Sequence, residues 1–372
     1  MRSNDKKNLL IVGSSLDVGG AETVIGNLCR NLDRQLFNVT VCHLKERGKI
    51  GHELADEGYD VVGIKRSDCT KTDYLTFIKL RNIVKAKKID ILHTHTLYSL
   101  VDSSLCKLTY PRVKSIHTFH FGNYPNITKK YLFMERLFMR IPNRLVAVGH
   151  MQGKSIRKTH GIPENKMVTI WNGVSHNQNP DETIIGKYSN RKKIIIGSIS
   201  TFIEQKGLNY LLDAAFYLKK KRSDFIILVV GDGHLKSELV AKSRTLELED
   251  CVIFLGRIEN AAARVLPYFD IFIQTSLWEA MSIVILEAMA NGKPVVATCV
   301  GDNKMMIEEG NTGFLVEPRD VDKMVSALEK LMDQKDLREN FGKEAKKKFR
   351  TEFSAAIMAR RYENLYLDVL NH

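Results

Sequence analysis

The sequence predicts an α/β protein with two doubly wound, parallel-sheet domains facing each other across a cleft. Short β-branched runs alternate with longer amphipathic stretches, which is typical of parallel sheets covered by helices. The length of 372 residues exceeds what one hydrophobic core usually covers. The alternation stops in a polar segment, Asn177–Lys193, and then restarts. We therefore expect one domain over residues 1–185, a second over 186–354, and a C-terminal helix over 355–372 that crosses back to the first.

The first half contains seven candidate strands with helical stretches between them. These strands are Leu9–Val12, Val39–His43, Val61–Ile64, Ile89–His93, Val113–His117, Leu145–Val148 and Met167–Ile170. Three helical stretches of this half are Ala21–Asn31, Asp73–Lys87 and Ile127–Arg140. Six more candidate strands follow: Ile194–Ile199, Phe225–Val230, Val252–Leu255, Ile271–Gln274, Pro294–Ala297 and Phe314–Val316. Ligands of open parallel sheets bind beyond the carboxyl ends of the strands, so the loops after these runs are the candidate sites.

The composition is that of an ordinary soluble protein, with 44% hydrophobic and 27% charged residues. No apolar run reaches the ~18 residues of a membrane-spanning helix, and the N-terminus lacks the form of a cleaved signal. The six cysteines form no CxxC pair, which argues against a zinc site or a disulfide framework. We expect a cytoplasmic protein, or one held peripherally on the inner face of the cell membrane.

Positive charge is concentrated in the first half. Residues 1–185 carry 28 Lys and Arg against 17 Asp and Glu, whereas residues 186–372 carry 28 against 26. This asymmetry indicates an anionic partner: nucleic acid, an anionic membrane surface or a phosphorylated substrate. A solvated basic surface is the alternative. Two helical stretches, at 73–87 and 128–144, mix basic and aromatic residues and suit a membrane surface, or equally a core-packed helix with a basic outer face. No nucleic-acid recognition motif accompanies the charge, so nucleic acid is not expected.

Two glutamates lie eight residues apart in the segment Ser276–Pro294, and the second is enclosed by apolar residues. Ser282 can cap the start of a helix and Pro294 forbids its continuation. A helix that is apolar nearly all round is buried, and a carboxylate on it costs several kcal/mol unless it is paired. Glu287 therefore needs a partner. A ribose, whose hydroxyls suit a carboxylate, and a structural Lys or Arg are both open.

Three glycine-containing loops follow predicted strands. The first carries Gly19-Gly20 at a helix start, the second Lys206-Gly207, and the third begins at Gly231. Paired glycines allow close approach of a ligand, and a lysine beside a helix start can bind phosphate. Each loop alone could equally be a structural turn. None is the GxGxxG fingerprint, so nicotinamide chemistry is not expected.

Histidines cluster at strand ends in the first half: His93, His95, His117 and His120. No carboxylate or cysteine accompanies them at a fixed offset, so we expect no metal. His120 lies just past a strand and is the best candidate for a hydrogen-bonding role. The chain has no GxSxG elbow and no cysteine with a recognisable catalytic flank.

Taken in order, these motifs resemble the retaining glycosyltransferases of family 4 over essentially the whole chain. The strongest elements are the two glutamates in EAMSIVILEAMANGKPVVAT and the turn Asn172-Gly173-Val174. The glycine loops and the stretch Gly313–Pro318 occur in the family's order. The resemblance implies the GT-B fold, which has two Rossmann-like domains, with acceptor binding in the first and nucleotide-sugar binding in the second. It implies no metal or other cofactor.

Site roles follow from the resemblance, position by position. Glu287 would hold the ribose hydroxyls, Glu279 the donor sugar, and Lys206 the diphosphate leaving group. His120 would hydrogen-bond the transferred sugar. Further donor contacts would come from Gly19 and Gly20, from Gly231, and from the backbone amides of Ala280, Met281, Ser282 and Ile283. We group Lys206, Glu279 and His120 as catalytic.

Three positions depart from the family pattern. Thr201 stands where an arginine is common, which removes a cation from the diphosphate site, and Arg257 is a candidate to replace it. Ala280 stands where a glycine is common, and Met305 where a glutamate is common. These departures affect donor identity and binding strength more than the fold.

The predicted function is transfer of a sugar, with retention, from a nucleotide diphosphate sugar to a carbohydrate acceptor. The basic first half favours an acceptor linked to polyprenyl diphosphate, as in capsule, exopolysaccharide or O-antigen assembly. A nucleotide-sugar 2-epimerase of the same architecture and a non-catalytic nucleotide-sugar-binding scaffold remain alternatives.

Overall fold

The computed structural model describes residues 6–64, 75–124, 126–189 and 193–372. The described chain divides into two compact units: unit 1 comprises Met1–Val174 with Ala355–His372, and unit 2 comprises Ser175–Ser354. Asp73, the predicted start of one helix, and the linker residues Arg191 and Lys192 lie outside the described residues. Within the described part of the chain, no helix combines the length and the apolar character that crossing a bilayer requires.

Unit 1 contains a seven-stranded parallel sheet. Its strands are β1 (Lys7–Gly13), β2 (Phe37–His43), β3 (Asp60–Gly63), β4 (Ile91–Thr94), β5 (Lys114–Phe119), β6 (Arg144–Ala147) and β7 (Met167–Thr169), in the order β3-β2-β1-β4-β5-β6-β7. Its first six helices are α1 (Gly20–Asn31), α2 (Gly48–Asp56), α3 (Thr76–Ala86), α4 (Leu97–Thr109), α5 (Lys129–Phe138) and α6 (His150–His160).

Unit 2 contains a six-stranded parallel sheet in the order β10-β9-β8-β11-β12-β13. Its strands are β8 (Ile194–Ile199), β9 (Phe225–Val230), β10 (Val252–Gly256), β11 (Ile271–Gln274), β12 (Val295–Thr298) and β13 (Gly313–Val316). Its helices are α7 (Glu182–Ser189), α8 (Leu208–Lys219), α9 (Lys236–Thr245), α10 (Ala261–Arg264), α11 (Ile283–Ala290), α12 (Asn303–Met306), α13 (Val321–Asp333) and α14 (Lys335–Lys348). A π-helical turn, Phe349–Phe353, ends the unit, and α15 (Ala355–Asn371) returns to unit 1.

All thirteen predicted strands are present, and both sheets are parallel throughout, so the predicted α/β fold class is confirmed. The runs are apolar because each strand is covered on both faces: every residue of β9 is buried. Complete burial of one such Ile, Leu or Phe side chain stabilises the fold by about 1.5–3 kcal/mol.

Unit 1 ends earlier than the residue 185 expected from the sequence. The amide of Asn179 donates to the carbonyl of Ala263, and that of Asp181 to the carbonyl of Arg264. The Arg264 guanidinium also pairs with the Asp181 carboxylate at 2.5 Å. These bonds tie the polar segment to unit 2, and α7 follows within it, so the segment is only in part a linker.

Helix α15 completes the core of unit 1. It packs on α1, and it buries Tyr362 and Tyr366 completely. The Tyr366 hydroxyl lies 2.8 Å from Nδ1 of His93, and the Nε2 atom of the same histidine lies 2.8 Å from the Thr118 hydroxyl. The Tyr362 hydroxyl also bonds Thr118. His93 therefore bonds this helix directly through Nδ1 and indirectly, through Thr118, with Nε2, which assigns this histidine a structural role.

Candidate active site

The strand order of unit 2 reverses between β8 and β11, and the predicted donor-binding residues Thr201, Lys206 and Glu279 follow these two strands. Ligands of doubly wound sheets bind at such a switch point. At Gly207 the loop that follows β8 packs closely against the loop that follows β11. The φ of Gly207 is +59°, and a Cβ there would lie 2.3 Å from the Thr275 carbonyl oxygen. The Thr275 hydroxyl donates to the Lys206 carbonyl at 2.9 Å. The loop carrying Lys206 is thus fixed against the loop that leads to Glu279.

Lys206 and Glu279 form an ion pair at this switch point, with Nζ 2.5 Å from Oε1. The Ser276 hydroxyl donates to the same carboxylate oxygen at 2.8 Å, and the Gln205 amide donates to the other at 3.3 Å. The Glu279 side chain is 8% exposed and that of Lys206 is 20% exposed. Each predicted catalytic group of unit 2 is therefore the other's partner, and the lysine remains accessible to a ligand.

The helix that follows, α11, begins without a side-chain cap. Ser282 occupies the N-cap position, as predicted, but makes no capping hydrogen bond. Its hydroxyl instead accepts a hydrogen bond from the Gln274 amide at 2.6 Å. The prediction that Ser282 caps this helix is wrong in that respect, because a neighbouring strand-end amide engages the hydroxyl. A helix start without such a cap favours an anionic ligand.

The turn before α11 is held by a second close contact. Gly301 has a φ of +51°, and a Cβ there would lie 2.2 Å from the Glu279 carbonyl oxygen. The Asp302 amide donates to the Ala280 carbonyl at 3.1 Å. Ala280, Met281 and Ser282 are buried and Ile283 is half-buried. The backbone expected to contact phosphate is therefore positioned by the loop after β12.

Glu287 lies on α11, is half-buried, and has no side-chain hydrogen bond or ion pair in the part of the chain that the structure describes. Burial raises the pKa of its carboxyl group to about 7. The structural Lys or Arg that the sequence left open as its partner is not found among the described residues. The carboxylate is partly exposed and has hydrogen-bonding capacity that the described residues do not use.

The other predicted donor contacts of unit 2 lie in the loops after β8, β9 and β10. Thr201 and Arg257 are exposed, and Arg257 makes no salt bridge within the described ranges. Gly231 has a φ of +142°, and a Cβ there would lie 1.8 Å from the Ser200 carbonyl oxygen. This packing of one loop against another requires glycine at 231 whether or not a ligand is bound. Met305 is exposed on α12.

In unit 1, Gly19 and Gly20 open α1 after β1, and two predicted histidines meet. Nε2 of His120 lies 2.9 Å from Nδ1 of His95, and the rings stack with centroids 5.2 Å apart. Burial lowers the pKa of His120 to about 4, so the ring is neutral at physiological pH. The Nε2 atom of His95 is buried and has no hydrogen-bond partner among the described residues.

Both histidines line a cavity of about 570 Å³ at the carboxyl ends of β4 and β5. Its wall also includes Ala21, Thr96, Leu97, His117, Thr118, Phe119, Phe121, Tyr124, Asn126, Ile127, Thr128, Tyr131 and Glu135. The volume suits a small organic ligand. Among the described residues, no three His, Cys, Asp or Glu side chains are grouped to hold a metal ion.

Sequence reasoning missed Gln205, Ser276, Gln274 and His95. The bond from Gln205 to Glu279 spans 74 positions, so no local spacing could reveal it. His95 was noted only as part of a cluster. The sequence did offer a signal for this contact, because His95 and His120 each follow one of two neighbouring strands, β4 and β5.

Two family models match consecutive parts of the chain. The model described as Glycosyltransferase Family 4 matches residues 18–178, and the model described as Glycosyl transferases group 1 matches residues 181–348. The chain belongs to glycosyltransferase family 4. This family 4 glycosyltransferase is 25% identical, over 91% of both chains, to the UDP-Gal:alpha-D-GlcNAc-diphosphoundecaprenol alpha-1,3-galactosyltransferase of Escherichia coli. It is 28% identical to the N-acetyl-alpha-D-glucosaminyl L-malate synthase of Bacillus anthracis over 78% of both chains.

Solved structures share the architecture of this glycosyltransferase. A glycosyltransferase from Rickettsia africae superposes with a TM-score of 0.83 at 22% identity, covering 99% of this chain and all of the other. HepE from Anabaena, in complex with UDP and glucose, superposes with a TM-score of 0.85 at 19% identity, covering 97% and 100%. The fold is GT-B, as predicted.

Proposed function

We propose that this family 4 glycosyltransferase transfers a sugar, with retention of anomeric configuration, from a UDP-sugar to a carbohydrate carried on polyprenyl diphosphate. The observation that carries the proposal is Glu287, a carboxyl group with a raised pKa and no protein partner in the described part of the chain. Ribose hydroxyls donating to it would stabilise its ionised form, because a hydrogen bond to a charged group contributes about 1.5–3 kcal/mol.

The diphosphate belongs at Lys206 and at the start of α11. In the free enzyme Lys206 is paired with Glu279, so donor binding exchanges partners: the lysine turns to the diphosphate and Glu279 to a sugar hydroxyl. Ser276 and Gln205 keep the carboxylate in position during this exchange, since they bond it independently of the lysine. The lysine charge then stabilises the diphosphate as it leaves. Thr201, Gly231, Arg257, Gly19 and Gly20 supply further donor contacts.

His120 takes the role of hydrogen-bonding the transferred sugar. Its neutral ring suits a hydroxyl better than a phosphate, because a neutral imidazole has one donor and one acceptor nitrogen. His95 fixes its orientation through the 2.9 Å bond.

For the reaction we propose a front-face displacement. The bond from the anomeric carbon to the diphosphate oxygen breaks, and the bond from that carbon to the acceptor oxygen forms on the same face. The acceptor proton passes to the leaving phosphate oxygen, and UDP departs with both electrons of the broken bond. This mechanism is supported by the described part of the site, in which no side chain has a recognisable nucleophilic arrangement.

The donor nucleotide and the acceptor class draw support from the comparisons. HepE was solved with UDP, and the Escherichia coli relative is named for a UDP-galactose donor and an undecaprenol-linked acceptor. The putative glycosyltransferase EpsF of Bacillus subtilis is 25% identical over 79% of both chains. We therefore place the reaction in the assembly of a capsule or exopolysaccharide, on the cytoplasmic face of the cell membrane, with unit 1 meeting the anionic lipid.

A thermal-shift panel tests the donor site. UDP-, GDP- and ADP-sugars are added to the wild type, to Glu287→Gln, and to Glu317→Gln as a control at an exposed glutamate of unit 2. We expect UDP-sugars to raise the melting temperature of the wild type and of the control, with the shift growing with the logarithm of concentration, and to leave Glu287→Gln nearly unshifted. An equal shift in all three proteins would remove Glu287 from the site.

A second measurement separates transfer from the two alternatives. UDP-sugar is incubated without acceptor and then with a short prenyl-diphosphate glycolipid, and the sugars are analysed. A glycolipid product supports the proposal. An epimerised nucleotide sugar without acceptor would identify a 2-epimerase, and donor binding without either product would identify a scaffold.

A further inference from the structure

Helix α5 of unit 1 presents an outward face that mixes cations with large apolar side chains. Phe133 is 61% exposed and Leu137 is 52% exposed, and the two are four positions apart, so they lie side by side on the helix. The cations of the same face are exposed as well. They are Lys129, Lys130 and Arg136, continued by Arg140 just after the helix.

None of these four cations forms an ion pair among the residues that the structure describes. Between residues 101 and 150 the chain has eight Lys and Arg but only two acidic residues, Asp102 and Glu135. Glu135 points inward, where it accepts a hydrogen bond from the Tyr124 hydroxyl at 2.5 Å and bonds His160 at 3.2 Å. The outward face therefore carries uncompensated positive charge.

The helix itself is firmly held. Met139, at its end, is fully buried, and the Ser104 hydroxyl on α4 donates to the Phe138 carbonyl. At its start, Tyr131 meets Tyr98 of α4 edge to face, with ring centroids 6.4 Å apart, and both rings are exposed. Phe133 and Leu137 are thus exposed on a helix that is held to α4 by contacts near both of its ends.

We propose that the outward face of α5 (Lys129, Lys130, Phe133, Arg136, Leu137 and Arg140) docks unit 1 on an anionic lipid bilayer. Phe133 and Leu137 enter the boundary between headgroups and acyl chains, and the four cations contact lipid phosphates. The exposed tyrosine pair lies beside them, and aromatic rings with a polar end favour this depth of a membrane.

A bilayer fits this face better than a second copy of the chain does. A twofold interface would bring the same four unpaired cations of each copy against one another, and like charges repel. An anionic bilayer supplies both the apolar layer and the opposite charge. The other helix suspected from sequence, α3, lacks this pattern, because each large apolar residue within it is buried or half-buried.

This inference rests on the proposed function, because docking on a bilayer would give the enzyme access to a lipid-linked acceptor. The wall of the unit 1 cavity includes Thr128 and Tyr131, which lie at the start of the same helix. An acceptor drawn from the bilayer at α5 would therefore meet the cavity that holds His95 and His120.

The test is co-sedimentation of the full chain with vesicles of phosphatidylcholine alone or with 30 mol% phosphatidylglycerol. We expect binding to the anionic vesicles at low salt and release at high salt. Lys130→Gln/Arg136→Gln should weaken binding roughly 25-fold, since each interfacial cation contributes roughly fivefold. Phe133→Ser/Leu137→Ser should weaken it by a comparable factor while retaining some salt-sensitive attraction.

Matched controls lie in unit 2: Lys335→Gln/Lys343→Gln removes two exposed lysines from α14, and Tyr217→Ser removes an exposed aromatic ring. These should bind vesicles like the wild type. Equal binding to both vesicle types, or equal loss in the control variants, would overturn the proposal. A dimer in sedimentation velocity without lipid, dissociated by Phe133→Ser/Leu137→Ser, would overturn it in favour of self-association.

The donor site is measured separately on the same variants. The UDP-sugar thermal shift should be unchanged in every α5 variant, so failure of docking is distinguishable from failure of the donor assignment.

Discussion

The ammonium group of Lys206 lies 2.5 Å from Oε1 of Glu279, although the two residues are 73 positions apart in the chain. The pair joins the loops after β8 and β11, the two strands between which the sheet order reverses. A lysine that pairs with a carboxylate in the resting enzyme is positioned before any phosphate arrives.

Removing either member of this pair should destabilise the protein unequally. Lys206→Met leaves the Glu279 carboxylate, which is 8% exposed, without its ion-pair partner. Glu279→Gln leaves the Lys206 side chain, which is 20% exposed and can reach water. We expect Lys206→Met to lower the free energy of unfolding by about 1–3 kcal/mol and Glu279→Gln to lower it less. Urea denaturation measures both. Lys221→Met breaks an exposed pair with Glu329 and should cost under about 1 kcal/mol. A larger loss in the free energy of unfolding in Glu279→Gln than in Lys206→Met would contradict this prediction.

Glu287 should make stability depend on pH. Its pKa is about 7 in the folded protein against 4.5 ordinarily, so folding favours the protonated form. The contribution of Glu287 to the free energy of unfolding, at most about 3 kcal/mol, is fully present below pH 4.5 and is lost as the pH rises to 7. The buried histidines act oppositely, because burial lowers the pKa of His117 to about 3 and that of His120 to about 4, and they favour folding above pH 6.5. The difference in stability between the wild type and Glu287→Gln isolates the carboxyl group.

That difference, followed by thermal denaturation from pH 5 to pH 8, should shift in favour of the glutamine variant as pH rises. A pH-independent difference would mean that the carboxyl group titrates normally.

Gly207→Ala should be strongly destabilising. Its φ of +59° is unfavourable for alanine, and the new Cβ would lie 2.3 Å from the Thr275 carbonyl oxygen. Gly58→Ala is the matched control, because Gly58 has a φ of +84° with no atom within 4 Å of the new Cβ. We expect the free energy of unfolding to fall by about 1–2 kcal/mol in the control, from backbone strain alone, and by roughly 3 kcal/mol or more in Gly207→Ala. Equal losses in chemical denaturation would show that the contact with Thr275 relaxes freely.

Tyr366→Phe should destabilise unit 1 more than Tyr362→Phe does. Without the Tyr366 hydroxyl, Nδ1 of His93 is buried with no partner, at a cost of about 1–3 kcal/mol. Thr118 would still bond Nε2 of His93 after loss of the Tyr362 hydroxyl, so the second variant should cost about 1 kcal/mol or less. Native-state hydrogen exchange of α15 reports both losses, and the reverse order would refute the role given to His93.

The sequence predicted every strand of both sheets because buried parallel strands are continuous β-branched runs, a local signal. It also placed Glu279, Glu287 and Lys206 in loops or helices after strands, where such sheets bind ligands. It could not predict that Lys206 pairs with Glu279, or that Gln274 engages the Ser282 hydroxyl, because these contacts depend on which strands become neighbours. The sequence left the partner of Glu287 undecided for the same reason. The apolar pattern of one helix predicts that the helix is buried, but it does not predict which side chains of other elements face it.

Helix α15 also constrains the order in which the protein can fold. The amide of Ala355 donates to the carbonyl of Val174 at 3.0 Å, so the whole of unit 2 is an insertion between two adjoining points of unit 1. During synthesis the ribosome releases residues 175–354 before the helix that carries Tyr362 and Tyr366. The nascent chain can therefore fold its second sheet first. The packing of α15 on unit 1 waits for a segment translated about 180 residues later, and until then Nδ1 of His93 lacks its bond to the Tyr366 hydroxyl.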